Sequence, residues 1–350
     1  MDKNALIMKR ILFVLAFLPT FLIGQDGDFL VRKNTTVTDD IPDSGVRRDI
    51  TYQTGVDSAG TTITYDPSTG EWNLAETGKY IIVYCDQWGT TNTTDNKRQN
   101  AVYRIDSAGT EIDIARSSGY LRKRNSAQEM INSGKGLITI NTANTKIKTV
   151  AYRVDNVTGV TYRPSRIASK SGMMIMKVDD DWNFARYEVT TDKLLAQVEG
   201  TDVPVEWQRV YEEDAPYTLD ANDYTIDIAS DNPILALGTI IIEGAGTANA
   251  RSDYHSRINI NGTDHNTAWC YVRNNTESCD DGALSMAYMW DHTSGQDIEI
   301  NVITNEIGTI GAQNQYIGNG SNLQLIELPS SAKFIIVEAT TGDHNLNSDF

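Results

Sequence analysis

The chain repeats itself, and that constrains its fold more than any single residue does. Phe29-Leu-Val-Arg-Lys-Asn-Thr35-Thr36 has the form F-x5-T-T, and the form returns at Phe184–Thr191 and Phe334–Thr341, with starts 155 and 150 residues apart. An ordered series of matches lies between. Cys270-Tyr-Val-Arg-Asn274 answers Gly119-Tyr-Leu-Arg-Lys123 at an offset of 151, Asp297–Val302 answers the stretch 146–152, and Ser321–Leu328 answers Ser171–Val178 at 150. Gly238–Ile242 is matched to Gly78–Ile82 at 160, Tyr224–Ile228 to Thr61–Tyr65, and Arg257 and Gly262 to Arg104 and Gly109 at 153. Offsets that drift only between apolar runs are expected where loops accept insertions and strands do not. The reading is two complete repeats, 29–178 and 184–328, and a segment 333–350. That segment is either the start of a third, truncated repeat or a free C-terminal strand able to add to a neighbour's sheet edge.

Within each repeat, Thr, Val, Ile and Tyr gather into short runs punctuated by Gly, Asn and Asp, the pattern of an all-β sandwich or barrel. Expected strands in the first repeat are 61–65, 78–84, 101–106, 120–122, 136–140, 146–152 and 173–178. Asp192–Glu199 and Ser126–Ile131 are expected to form short helical turns in loops. A chain of 350 residues suits about two such domains. Short linkers, Asp179–Asn183 and Pro329–Ala332, predict domains that touch.

Residues 1–24 read as a signal peptide. Met8-Lys-Arg is a basic start, and Ile11–Ile23 is a nearly unbroken apolar run of thirteen residues, short for a membrane span. Export, to the medium or the cell surface, follows, with no membrane span after cleavage near Gly24. Formal net charge is −17, and −19 without the leader. Such a surface repels phosphate backbones, so nucleic acid is excluded as a partner. Cys85, Cys270 and Cys279 are too few for a disulfide scaffold; Cys270–Cys279 could bridge, or all three could be thiols.

Trp72-Asn-Leu, Thr77-Gly-Lys-Tyr-Ile-Ile-Val83, Tyr103-Arg-Ile, Gly119-Tyr-Leu-Arg122 and the closing Ser171–Val178 together resemble the complement-component-1q and tumour-necrosis-factor superfamily. The resemblance covers Phe29–Leu328, twice over. It implies two tandem antiparallel jelly-roll sandwiches and extracellular recognition or scaffolding, commonly as trimers. The chain departs from the pattern: there is no Gly-X-Y stalk, Tyr80 is matched by Ile240, and Trp72 has no evident counterpart. No receptor-contact or calcium residue carries over.

Candidate chemistry is sparse. There is no G-x-S-x-G, HExxH or CxxC, and no carboxylate pair stands out among 47 acidic residues. The reading is a non-enzyme with no catalytic, cofactor or metal residue. Asp39-Asp40, Asp179–Asp181 and Asp280-Asp281 could bind calcium through oxygen ligands; solvated linkers and turns account for them as well. His255 and His265 flank the Arg257 run, with Asp253 and Asp264 nearby, as a metal pair or as solvated loop residues; His292 and His344 complete the set. Arg104 with Arg257, and Arg122 with Arg273, share repeat positions and suit an anionic ligand or structural ion pairs. Trp88, Trp269 and Trp290 fall near expected loops, for sugar stacking or for packing. Sequons stand at Asn34, Asn92, Asn156, Asn261, Asn274 and Asn319.

The function these features support is a secreted binding, adhesion or scaffold protein acting through loops and homo-oligomers, trimers included, with an extracellular protein or glycan as partner. The alternatives are a viral or phage structural protein, such as a fibre or head-decoration subunit, and a carbohydrate-binding module.

Overall fold

The computed structural model describes residues 28–35, 47–90, 96–105, 111–121, 128–153, 165–166, 170–180, 182–195, 198–244, 251–273, 282–307 and 315–330. Those residues are all-β, in antiparallel strands, with no helix among them. Sheet 1 runs β11 (Ser165–Arg166), β6 (Gly78–Thr90), β12 (Gly172–Val178), β1 (Phe29–Lys33), β3 (Thr54–Ala59), with β9 (Gln128–Ile140) on the far side of β6. Sheet 2 runs β4 (Ile63–Asp66), β5 (Glu71–Leu74), β10 (Thr145–Arg153), β7 (Asn96–Ile105), β8 (Glu111–Leu121), with β2 (Arg47–Asp49) on β10. Tyr80, Ile82, Tyr84 and Trp88 from sheet 1 meet Trp72, Leu74, Ile147 and Ala151 from sheet 2 in a buried core.

Residues 184–327 build a second pair on the same plan. Sheet 3 runs β14 (Lys193–Leu194), β24 (Gln315–Ile317), β19 (Ile234–Gly244), β25 (Asn322–Glu327), β13 (Phe184–Glu188), β16 (Arg209–Glu213), with β22 (Gly282–Trp290) on β19. Sheet 4 runs β17 (Tyr217–Leu219), β18 (Thr225–Ile228), β23 (Gln296–Ile307), β20 (Arg251–Ile260), β21 (Thr263–Arg273), with β15 (Asp202–Pro204) on β23. Each pair is a two-layer antiparallel jelly roll around its own core.

The repeated motifs have physical causes. The Phe of F-x5-T-T opens the strand that pairs with the closing strand, Phe29 opposite Met176 and Phe184 opposite Ile326. Amides of the Thr positions are taken up by a glutamine: Thr35 N donates to Gln53 Oε1 at 2.9 Å, and Thr190 N and Thr191 N donate to Gln208 Oε1 at 2.7 and 3.0 Å. The closing serine also recurs. Ser171 Oγ accepts from Gln87 N at 3.0 Å, and Ser321 Oγ accepts from Ile241 N at 2.8 Å.

These twin bonds and the strand pairings correct three of the matches. Gln87 answers Ile241, and Tyr84 and Gly238 hold the same place opposite Met173 and Leu323. Gly238 is therefore the counterpart of Tyr84 and not of Gly78, and Tyr80 answers Ile234. Tyr224–Ile228 falls in β18, which takes the place of β5 beside the long central strand rather than that of 61–65; Ile226 stands where Trp72 does. Arg104 lies opposite Ile147, whereas Arg257 lies opposite Asn301, three ladder steps away. The two arginines therefore do not hold the same register position.

Steric complementarity follows the corrected register. Tyr84 faces Gly134, where an added Cβ would come within 2.3 Å of the tyrosine ring. In the second pair Gly238 faces Met286, so the bulk has crossed to the other strand. Among the described residues the expected helical turns are not formed: Gln128–Ile131 lies in β9, and Lys193–Leu194 forms β14. Strands β6, β7, β8 and β9 all extend beyond the expected runs. Phe334–Thr341 and the leader lie outside the described residues.

Candidate functional site

Three surfaces bring chemistry together. The first is the joint between the two sheet pairs. Ile81, Val83, Leu137, Met174, Met176 and Val178 of the first pack with Trp182, Phe184, Leu237, Ile326 and Leu328, all buried. β9 supplies the polar rim and crosses sheet 3 nearly from edge to edge. Ser133 Oγ lies 3.4 Å from Ser285 Oγ on β22, Gln324 Nε2 on β25 donates to Lys135 O at 2.7 Å, and Thr139 Oγ1 bonds Glu212 on β16. Lys79 Nζ donates to Asp214 Oδ2 at 2.6 Å and to Trp182 O at 2.5 Å. Glu327 holds the linker by accepting from Asn183, Ser230 and Asn232. The apolar part is a face on a face, built from register-equivalent positions of the two pairs (Val83 with Leu237, Met176 with Ile326, Val178 with Leu328), and β9 at the edge of sheet 1 adds the polar contacts.

Lys135 stands out inside this joint. Its Nζ donates to Met286 O at 2.9 Å and Ser285 Oγ at 3.2 Å, and burial brings its pKa down to about 8. Cys85 lies beside it, its thiol pushed up to about 12 by burial, with Asp86 adding to the shift.

The second surface is a cleft of about 300 Å³ lined by Asp28, Thr62, Glu76, Lys177, Val178, Asp179 and Asp180. Asp28 accepts from Thr61 N at 3.0 Å and Thr62 N at 2.8 Å. Burial would raise its pKa, but the Thr62 and Thr61 bonds and Lys177 together hold it below the ordinary value. Lys177 pairs with Glu76 at 2.6 Å. Gly60, at φ +71°, passes so close to the Asp28 carboxylate that a Cβ would overlap it. Among the described residues no three His, Cys, Asp or Glu side chains are placed to hold a metal ion.

The third is the outer face of sheet 4. Trp269 is 57% exposed in the middle of β21, and its Nε1 donates to Asp253 Oδ2 at 3.2 Å. His255 is its cross-strand neighbour. Arg257 sits two residues further along β20, with Nη1 3.4 Å from Asp264 Oδ2 and 3.8 Å from Asp202 Oδ2.

Several sequence expectations change here. His255 and His265 are strand residues, not loop residues. His255 pairs with Trp269 on the outer face, whereas His265 pairs with Ile258 and meets Tyr288 Oη at 2.8 Å on the inner one, so they cannot share a metal. His292 is buried; its Nδ1 accepts from Trp290 Nε1 at 2.9 Å, and its Nε2 lies 3.2 Å from Ile228 O. Trp88 and Trp290 are buried packing residues, which leaves Trp269 as the exposed tryptophan. Cys270 is a buried free thiol, so a Cys270–Cys279 bridge is not formed. Asn34 is fully buried, which bars a glycan there, while Asn261 and Asn319 are exposed. Asp179 and Asp180 are exposed cleft residues. Asp39, Asp40, Asp181, Asp280, Asp281, Arg122, His344, Asn92, Asn156 and Asn274 lie outside the described residues. Sequence reasoning missed Lys135, whose only signal was a charge at an alternate position of a strand otherwise free to face a partner.

The strand order and the two cores place the described residues in the class of antiparallel jelly-roll proteins. No protein-family model and no curated protein sequence matches the chain. Among solved structures it is similar to the globular domain of zebrafish complement 1qA protein, at 11% identity and a TM-score of 0.31 over 44% of this chain and 98% of that one. It is also similar to murine APRIL at pH 5.0, at 12% identity and a TM-score of 0.32 over 43% of this chain and 99% of that one. No helix among the described residues is long and apolar enough to cross a membrane.

Proposed function

We propose that the chain is a secreted, non-enzymatic binding or scaffold protein made of two tandem jelly rolls, 29–178 and 184–328, that acts by presenting loops and faces and by self-association. The observation that carries this is the apolar joint between the two sheet pairs. A joint of that kind holds two binding modules in one fixed orientation, which suits a scaffold. It also buries register-equivalent faces of the two modules, with β9 of the first added at the rim. Modules that pack on one another within the chain are suited to pack between copies as well. The acidic surface keeps the protein soluble outside the cell and away from polyanions.

Expression with the native leader, followed by N-terminal sequencing of the exported protein, tests secretion; the mature chain should begin near Gln25. Sedimentation velocity at graded concentrations tests self-association. A strict monomer retained inside the cell overturns the reading.

A further inference from the structure

We propose that the outer face of sheet 4 around Trp269 is a binding site for a neutral saccharide. This rests on reading the chain as an extracellular binding protein, and names the partner of one of its faces.

All six tryptophans fall among the described residues. Trp72, Trp88, Trp182, Trp207 and Trp290 are each 5% exposed or less, while Trp269 is 57% exposed. The bond from Nε1 to Asp253 Oδ2 holds the indole by its edge, so the exposed surface belongs to a ring of fixed orientation and not to a freely turning side chain. An aromatic face is electron-rich at its centre and attracts the polarised C–H groups on one side of a pyranose ring. A fixed ring loses little side-chain entropy when a ligand settles on it.

The surroundings separate a sugar from a protein partner. A protein hot spot is a tryptophan in an apolar, water-excluding setting. The described neighbours of Trp269 on this face are Asp253, His255 and Arg257, with Asp264 and Asn259 behind them. His255 places a ring nitrogen one ladder step from the indole, within reach of a sugar hydroxyl, and Asp253 fixes the indole through Oδ2. Arg257 is engaged by Asp264 and Asp202, so its charge is balanced on the protein. With a formal charge of −17 over the whole chain, a sulfated or uronic polymer is disfavoured and a neutral sugar fits.

The first sheet pair lacks the feature. The ladder row Ile303–His255–Trp269 corresponds to Tyr152–Gln99–Ser118. A serine stands at the tryptophan's register position in the first pair, so the tryptophan is not a requirement of the fold.

The test uses the full exported chain and a panel of neutral tetrasaccharides: β-1,4-glucose, β-1,4-mannose, β-1,4-galactose and β-1,4-N-acetylglucosamine. Acrylamide quenching of tryptophan fluorescence reads Trp269 almost alone, because the other five rings are buried. At least one saccharide should protect the accessible fraction and shift its emission to the blue. Trp269→Phe should weaken that binding, and Trp269→Ser should weaken it at least about tenfold, equivalent to about 1.4 kcal/mol. Both variants should keep the wild-type unfolding midpoint. Asp253→Asn should weaken binding while leaving the quenchable ring in place. No protection by any member of the panel overturns the proposal. So does protection that appears without sugar as protein concentration rises, which would assign the ring to a second copy of the chain. Neither result touches secretion or self-association, which are read by sequencing and sedimentation.

Discussion

Replacing Lys135 by methionine should make the protein more stable at neutral pH and less stable in alkali. The cause is a lysine buried in the joint, with a pKa near 8 against an ordinary value of 10.5. A lysine whose folded pKa is depressed binds its proton less well in the native state than in the unfolded one. Stability is therefore highest above 10.5, falls as pH drops from 10.5 to about 8, and stays lowered below that. The difference corresponds to about 3 kcal/mol at pH 7. Against it stand the bonds from Nζ to Met286 O and Ser285 Oγ, each contributing about 1 kcal/mol. Methionine removes both effects and keeps most of the side-chain volume. The variant should be about 1 kcal/mol more stable at pH 7 and about 2 kcal/mol less stable at pH 10.5, with a crossing between. Urea unfolding of both proteins at matched pH gives the difference, in which the titration of other lysines and tyrosines cancels. Cys85 does not intrude, because its thiol stays protonated over this range. A difference that stays flat from pH 7 to 10.5 would refute the argument and mean that water reaches the ammonium.

Gly134→Ala should destabilise by about 1–3 kcal/mol through overpacking against Tyr84, and most of that loss should disappear in a Tyr84→Gly background, read by a double-mutant cycle in urea. Gln208→Ala should leave the Thr190 and Thr191 amides unbonded and raise their hydrogen-exchange rates without changing those of the β19 core. Acidification should disturb Trp290: His292 has its pKa lowered chiefly by burial, so its contribution is present above the ordinary histidine value and is lost as pH falls through the folded one. A His292→Gln protein should show a flatter stability curve between pH 7 and 5.

How far the sequence could be read depended on whether a feature was local or paired. The F-x5-T-T strands, the closing strands and the run 146–152 were legible, because each alternates or stays apolar over its own few residues. The helical turns at 126–131 and 192–199 were not. There, Gln, Glu and Lys hid the extension of β9 and the short edge strand β14, whose register is set by partners far away in the chain, Ile317 and Tyr316 for β14. The missing counterpart of Trp72 is a case of the same kind: Ile226 fills its place, and nothing in Tyr224–Ile228 announces which strand it must join.

The slipped match of Gly238 to Gly78 shows where pattern alone stops. The true partner is Tyr84, six residues on, and six is an even number. Every inward residue stays inward under that slip, so the alternation that detects strands cannot detect the error. What fixes the register is a bond between positions distant in sequence: Ser171 to Gln87 in one sheet pair and Ser321 to Ile241 in the other. The slip for Arg104 and Arg257 is three, so those two arginines hold different register positions. The joint carries this further, for Lys135 reads as an outward strand lysine until sheet 3 is set against it. A face that local pattern marks as solvated can be buried by the next module, and only the packing of two modules decides it. By the same reasoning, Trp269 remains exposed because the sheet face that carries it lies on the far layer of the second module, away from β9 and the joint.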